Sequence, residues 1–143
     1  MKTALLVEDN DLNHLLFSEV LRHAGFDVIS DRTGAGALRL AGAGAGKPRQ
    51  TISDSDVAII ERRRPDIAVI DLALPTCSGL EVIRALRADL ATAAIPIIAV
   101  SAFARTADGL SALNAGADVF FCKPVDMTRL SNALDQLTTS QAA

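Results

Sequence analysis

Polar side chains that could do chemistry follow four short apolar segments of the chain: Glu8 and Asp9, Asp71, Ser101 and Lys123. Continuous apolar runs of this length are typical of strands buried on both faces of a parallel sheet. A carboxylate that ends such a strand is costly to desolvate unless a cation or hydrogen-bond donors compensate it. The carboxyl ends of parallel strands meet at one edge of the sheet, where α/β proteins place their functional sites. We therefore expect these five side chains to converge.

Three of the five side chains are carboxylates, which repel one another when they share a site. A hard cation with oxygen ligands relieves this repulsion, and Mg²⁺ with its retained waters suits two or three carboxylates. Lys123 would add a compact positive charge and Ser101 a small hydrogen-bonding group. A metal and a lysine together neutralise an incoming phosphoryl group, and an aspartate that attacks phosphorus forms an acyl phosphate. The residues thus favour phosphoryl transfer over the alternative, in which the acids are loop caps and the lysine is a surface residue.

The elements that must position these residues alternate along the chain. Strands are predicted at Ala4–Val7, Phe26–Ile29, Ile67–Ile70, Ile95–Val100 and Val119–Cys122. Apolar residues at helical spacing follow capping residues at Asn10 or Asp11, Ser78, Thr106 and Asp126, and the first and third of these helices should stop at Gly25 and Gly116. On the first helix Leu16, Phe17 and Leu21 recur at that spacing. Five alternations of strand and helix predict a doubly wound parallel sheet.

The second crossover is longer than the fold requires. One helix and two short loops need roughly 20 residues, and the connection from Ser30 to Pro65 has about 15 more. A helix can start at Thr33, but alternating glycines and Pro48 prevent its continuation. We interpret residues 42–53 as an inserted, mobile loop, followed by a new helix cap at 53–56. A phosphate-binding loop is disfavoured because Pro48 follows Lys47 where Ser or Thr is needed.

Composition excludes several classes. The 143 residues predict one domain, 1–143, with a short C-terminal tail at 139–143. A net charge of −3 argues against non-specific nucleic-acid binding. No apolar run is long enough for a transmembrane helix and the start does not resemble a signal peptide, so we expect a cytoplasmic protein. Cys77 and Cys122 match no zinc spacing and are expected to be packing residues.

These motifs together resemble the receiver domain of two-component response regulators, over about residues 2 to 138. The resemblance is carried by Leu6–Asn10, Pro65–Asp71, Leu74–Pro75, Gly79–Glu81, Ile98–Ala102, Gly116–Asp118 and Lys123–Pro124. Residues 8–13 and 101–104 make the chain most similar to stand-alone receivers of the DivK type. The resemblance implies a flavodoxin-like, five-stranded sheet in the order 2-1-3-4-5, with helices on both faces and the insertion in the second crossover.

The resemblance also implies roles for the strand-end residues. Asp71 would be the phosphoacceptor, and Glu8 and Asp9 would hold Mg²⁺ together with Asp71 and the backbone carbonyl of Ala73. Lys123 would pair with one phosphoryl oxygen, and the hydroxyl of Ser101 would bind another.

Two further positions carry the switch. Phe120 would be the aromatic that swings inward after Ser101 has moved toward the phosphoryl group, without the hydroxyl contact that a tyrosine makes there. The Lys123–Pro124 bond is expected to be cis, which turns the lysine toward the site. Ser78, Ala73 and Phe103 depart from the family pattern, and the last two are apolar. Ala73 and Phe103 should slow self-dephosphorylation because they restrict the approach of water to the acyl phosphate.

The expected partners follow from the same resemblance. A sensor histidine kinase or a histidine phosphotransfer protein would deliver the phosphoryl group. Output would pass to an effector protein through the surface formed by the fourth predicted helix (the one capped by Thr106), the last strand and the last helix. The chain would be monomeric or would form a phosphorylation-dependent homodimer. No DNA or membrane contact and no enzymatic activity beyond self-phosphorylation and self-dephosphorylation are expected.

Two alternatives remain open at this point. A degenerate receiver could act as a phosphorylation-independent docking module if the insertion misplaced the acids. A small phosphatase could use Asp71 as a nucleophile, but it needs a second acid where Ala73 stands.

Overall fold

The computed structural model describes residues 2–32, 65–74, 78–88, 92–102 and 106–142. In these ranges the strands are β1 (Lys2–Val7), β2 (Phe26–Asp31), β3 (Ile67–Asp71), β4 (Ile97–Ser101) and β5 (Val119–Cys122). The helices are α1 (Asp11–His23), α2 (Gly79–Ala88), α3 (Thr106–Ala115) and α4 (Met127–Ala142). The inserted loop predicted at 42–53, the helix cap predicted at 53–56, Cys77 and Phe103 lie outside the described residues. No helix of the described part is long and apolar enough to cross a membrane.

The five strands form one parallel sheet in the order β2-β1-β3-β4-β5. This order confirms the doubly wound, flavodoxin-like architecture. Every residue of β3 and β4 is buried, because helices cover both faces of the sheet. Consecutive strands run in the same direction, so all five carboxyl ends lie at one edge, which we call the carboxyl edge.

Two apolar cores lie on opposite faces of the sheet. The first core joins β3 and β4 to Val82, Ile83 and Leu86 of α2 and to Ala112 of α3. The second joins the sheet to apolar residues of the other two helices: Phe17 and Leu21 of α1, and Leu130 and Leu134 of α4. The alternation of side chains along each strand distributes the apolar residues between the two cores.

Helix α1 begins and ends where its caps predict. Asn10 accepts a hydrogen bond from the Asn13 backbone N–H at 3.0 Å, and Gly25 follows the helix with φ of 92°. Leu16 differs from the expectation, because it is 40% exposed whereas Phe17 and Leu21 are buried. Phe17 and Leu21 form the centre of the α1 face that packs against the sheet, whereas Leu16 points outward.

Helix α2 begins directly after Ser78, the capping residue that the sequence predicts. The Ser78 hydroxyl accepts from the Leu80 N–H at 3.2 Å, and the N–H of Glu81 donates to the Ser78 carbonyl at 3.0 Å. The first turn is therefore fixed by both the side chain and the backbone of one residue. Val82 is fully buried on this helix.

Arg87 fastens the opposite edge of the sheet. Its guanidinium donates to the backbone carbonyls of Gly116 and Ala93, both at 2.8 Å, and to that of Ile95. The same guanidinium pairs with the Asp118 carboxylate at 2.9 Å. One side chain thus joins the end of α2, the loop before β4 and the turn between α3 and β5.

Gly79 allows α2 to begin directly against the strand that ends in Asp71. A Cβ at Gly79 would lie 2.6 Å from Leu72 Cα and 2.9 Å from the Asp71 carbonyl carbon, and closer still to the carbonyl oxygen. The Gly79 N–H donates to the Leu72 carbonyl at 2.9 Å. Because these neighbours are backbone atoms, they cannot give way without moving Asp71.

Replacing Gly79 by alanine should therefore destabilise the protein strongly. We expect Gly79→Ala to lower the free energy of unfolding by at least about 2 kcal/mol, since the added methyl overpacks rigid backbone. Gly25→Ala is the matched control, because its Cβ would meet nothing within 4 Å and only the positive φ is strained, at about 1 kcal/mol. Urea unfolding of both variants measures the difference. Equal losses would contradict the close contact at Gly79.

Candidate functional site

The predicted strand-end residues lie together at the carboxyl edge. Asp71 and Ser101 are the last residues of β3 and β4, whereas Glu8 and Lys123 directly follow β1 and β5. Glu8, Asp71 and Ser101 are buried, at 0, 3 and 1% exposure respectively. The ends of the last two strands are tied by the Lys123 N–H, which donates to the Ser101 carbonyl at 2.7 Å.

Lys123 is the cation that compensates Asp71. Its Nζ lies 3.0 Å from Asp71 Oδ2, and 2.9 and 3.2 Å from the two carboxylate oxygens of Glu8. The lysine side chain is only 13% exposed, so these charge-assisted hydrogen bonds are shielded from water. One ammonium group therefore serves two buried carboxylates, on residues that are 115 and 52 positions away.

The three acids form a group that could hold a metal ion. One oxygen each of Glu8, Asp9 and Asp71 lies within 4.8 Å of the others, and Asp9 is exposed. Three carboxylates exceed the single charge of Lys123, and an all-oxygen donor set is what Mg²⁺ prefers. The donor chemistry of the site thus fits a hard divalent cation. The other carboxylate oxygen of Asp71 accepts the Ala73 N–H at 3.0 Å, and Ala73 itself is exposed.

Two pKa shifts show the electrostatics of the site. Burial, together with the hydrogen bond to Asp71, raises the pKa of Glu8 from 4.5 to about 7, and Lys123 opposes this increase only in part. Burial alone would lower the pKa of Lys123, but its hydrogen bonds to Glu8 and Asp71 outweigh burial and raise it. Because Glu8 binds its proton more tightly in the folded chain, its contribution to stability is full below pH 4.5 and is lost as the pH rises through about 7.

Arg32 is a residue of the site that the sequence analysis missed. Its guanidinium donates to the Asp9 backbone carbonyl at 3.1 Å and pairs with the Asp11 carboxylate. It therefore holds the loop that carries Asp9. The signal was present, because Arg32 directly follows β2, whose carboxyl end meets the same edge as the four strand ends that were considered.

The residues expected to respond to phosphorylation lie beside the site. Phe120 of β5 is partly buried and packs against the core under α2 and α3. The Lys123–Pro124 peptide bond is cis. Cys122, between them, is a free, exposed cysteine, not the buried packing residue that was expected. It is exposed because it ends β5, an outer strand of the sheet that has no fully buried residue.

Comparison with protein families identifies one match. The model of the response regulator receiver domain matches residues 50–135. Among curated proteins, the polar-differentiation response regulator DivK of Brucella anthropi is 34% identical over 128 residues, which cover 90% of this chain and 89% of the relative. DivK of Brucella ovis is 33% identical over the same lengths. The chain thus spans nearly the whole length of these relatives.

Solved structures agree with the family match. The receiver domain of a sensor histidine kinase from Pseudomonas aeruginosa, with a magnesium ion coordinated in its active-site cleft, is 29% identical, with a TM-score of 0.74 over 95% of this chain and 96% of that one. A sensor protein from Polaromonas is 26% identical, also with a TM-score of 0.74, over 97% of both chains.

The affinity for Mg²⁺ should depend on pH through Glu8. The carboxylate form binds the cation, and with a pKa of about 7 it is the minor form at pH 6 and the major form at pH 8. We expect affinity to rise about tenfold over that range, with protons released on binding at the lower pH. Isothermal titration at both pH values measures this. Glu8→Gln should bind Mg²⁺ more weakly and almost independently of pH, and a wild-type affinity equal at both pH values would refute the prediction.

Proposed function

The chain belongs to the response regulator receiver domain family, and on that premise we propose that Asp71 accepts a phosphoryl group and switches the protein between two signalling states. Receiver domains act in two-component pathways, so the donor would be a histidine kinase or a histidine phosphotransfer protein. The observation that carries the proposal is the environment of Asp71. It is a buried carboxylate held by Lys123 on one oxygen and by the Ala73 N–H on the other, beside two further acids.

The transfer step uses these contacts in turn. A carboxylate oxygen of Asp71 attacks the phosphorus of a phosphohistidine, the P–N bond breaks, and its electron pair leaves with the imidazole. The product on the protein is an acyl phosphate. Lys123, at 3.0 Å from Asp71, is near enough to transfer its hydrogen bond to a phosphoryl oxygen without crossing the site. The Ala73 N–H, which already donates to Asp71, fixes the rotation of the carboxyl group.

Glu8, Asp9, Asp71 and the carbonyl of Ala73 would hold Mg²⁺ in the working protein. When bound, the metal supplies positive charge to the phosphoryl oxygens during transfer. The acids fit this role because their combined charge exceeds that of Lys123. Glu8 would serve as one of the metal's ligands, and Lys123 would pair with the phosphoryl group.

The donor would approach along the first turns of α1. Leu12, Leu15 and Leu16 are 64, 55 and 40% exposed, and they stand on successive positions of one helical face. This helix begins two residues after Asp9, so its first turn lies next to the site. A helical donor domain that presents its phosphohistidine to Asp71 would cover these leucines.

The output surface would be formed by α3, β5 and α4. Movement of Ser101 toward the phosphoryl group and of Phe120 behind it would change this surface, following the logic of a two-state element biased by a local charge. Leu110 and Leu113 of α3 are 56 and 47% exposed there and offer an apolar contact to an effector protein.

The main alternative, a docking module that is never phosphorylated, has less support. It requires misplaced acids, whereas Glu8, Asp9, Asp71 and Lys123 form one connected group. Labelling by acetyl phosphate that depends on Mg²⁺ separates the two functions. The phosphatase alternative lacks its second acid, because Ala73 occupies that position.

Asp71→Asn should abolish phosphorylation. The amide cannot form an acyl phosphate, so radiolabel from acetyl phosphate or from a cognate kinase should fall below detection. Asp135→Asn, an exposed position on α4, is the matched control and should label like the wild type. Labelling of Asp71→Asn at the wild-type level would refute the assignment of the phosphoacceptor.

Leu15→Ser should slow transfer from the protein donor without changing the reaction with acetyl phosphate. The loss of an exposed apolar contact weakens docking by about tenfold for a contact worth 1–2 kcal/mol, and acetyl phosphate needs no docking. Leu113→Ser is the control, because it removes a similarly exposed leucine from the output surface. Equal transfer rates for Leu15→Ser and the wild type would exclude α1 as the donor-binding face.

A further inference from the structure

Helix α3 has a glycine, Gly109, at the point where it approaches the Phe120 ring. Gly109 is an interior residue of this helix, where glycine costs about 1 kcal/mol relative to alanine. A Cβ at Gly109 would lie 3.1 Å from Cδ1 and 3.3 Å from Cε1 of Phe120. The missing methyl group therefore makes room for one edge of the ring.

The register of the sheet places Phe120 and Ser101, the residues expected to respond to phosphorylation, on one face of the sheet. Phe120 pairs with Ala99, and Ser101 is two residues farther along β4, so the three side chains share one face. Ala99, the partner of Phe120 on the neighbouring strand, and Ala112 of α3 are both fully buried. The ring thus packs against α3 where the helix has a glycine in place of a larger side chain.

We propose that Gly109 is a positioning residue of the phosphorylation switch, because it admits the Phe120 ring beneath α3. The inference rests on the proposed function. With alanine at Gly109 the added methyl group takes up the space beside Cδ1 and Cε1 of Phe120, so the ring must give by a few tenths of an ångström and is displaced from beneath α3. A state that needs the ring inward is then less stable, and by linkage it binds its ligand less tightly.

Beryllofluoride, a mimic of the phosphoryl group on Asp71, tests this coupling. We expect Gly109→Ala to bind beryllofluoride with Mg²⁺ about fivefold more weakly than the wild type, the lower end of typical coupling between sites. Asn114→Ala is the matched control, since this exposed residue of α3 gains helix propensity without approaching the ring. It should bind like the wild type.

A double-mutant cycle separates an effect through the ring from a general effect on the helix. In a Phe120→Leu background, Gly109→Ala should no longer change the affinity for beryllofluoride. An unchanged fivefold loss in that background would overturn the proposal, because the glycine would then act without the ring.

The position of the ring can be followed directly. The chain has five phenylalanines and no tyrosine or tryptophan, so labelling with fluorophenylalanine gives five ¹⁹F signals, and Phe120→Leu identifies the relevant one by its loss. Gly109→Ala should shift this signal away from its wild-type position, because the ring is displaced. An unmoved signal with unchanged affinity would overturn the inference alone. A wild-type protein that fails to bind beryllofluoride would overturn the proposed function as well.

Discussion

The ammonium group of Lys123 between Glu8 and Asp71 is the interaction on which the site depends. Two carboxylates with almost no exposure to water would be unstable as neighbours without a cation within hydrogen-bond distance. Because the lysine comes from β5 and the acids from β1 and β3, the same contact ties three strand ends. One positive charge does not balance three acids, however, and the remaining negative charge makes the edge receptive to a metal.

The fold brings these groups together through its strand order. β1 and β3 are adjacent at the centre of the sheet, so Glu8 and Asp71 emerge side by side, and β4 lies between β3 and the strand that supplies the lysine. Gly79 then lets α2 begin against the backbone of Asp71. Asp71 is therefore held from two sides, by the sheet and by the helix that follows it. Its position is set by backbone atoms more than by side-chain packing.

Much of this could be predicted from the sequence because the signals are local. Buried strands appear as apolar runs, the cap at Asn10 and the stop at Gly25 follow from their own side chains, and strand ends in a parallel sheet must converge. Contacts between distant residues were not predictable in the same way. The sequence suggested Lys123 as a partner of Asp71, but its bond to Glu8 depends on side-chain reach across the sheet. The fit of Phe120 against Gly109 depends on the exact height of a helix above a strand.

The bonds of Arg87 have a mechanical consequence for the proposed output surface. Its guanidinium holds the carbonyl of Gly116, so the end of α3 is fastened to α2 and to the loop before β4. A helix fixed at one end responds to a push near its start by pivoting, not by sliding. Displacement would then grow with distance from the fixed end, and Leu110 would travel farther than Leu113 for the same movement of the Phe120 ring.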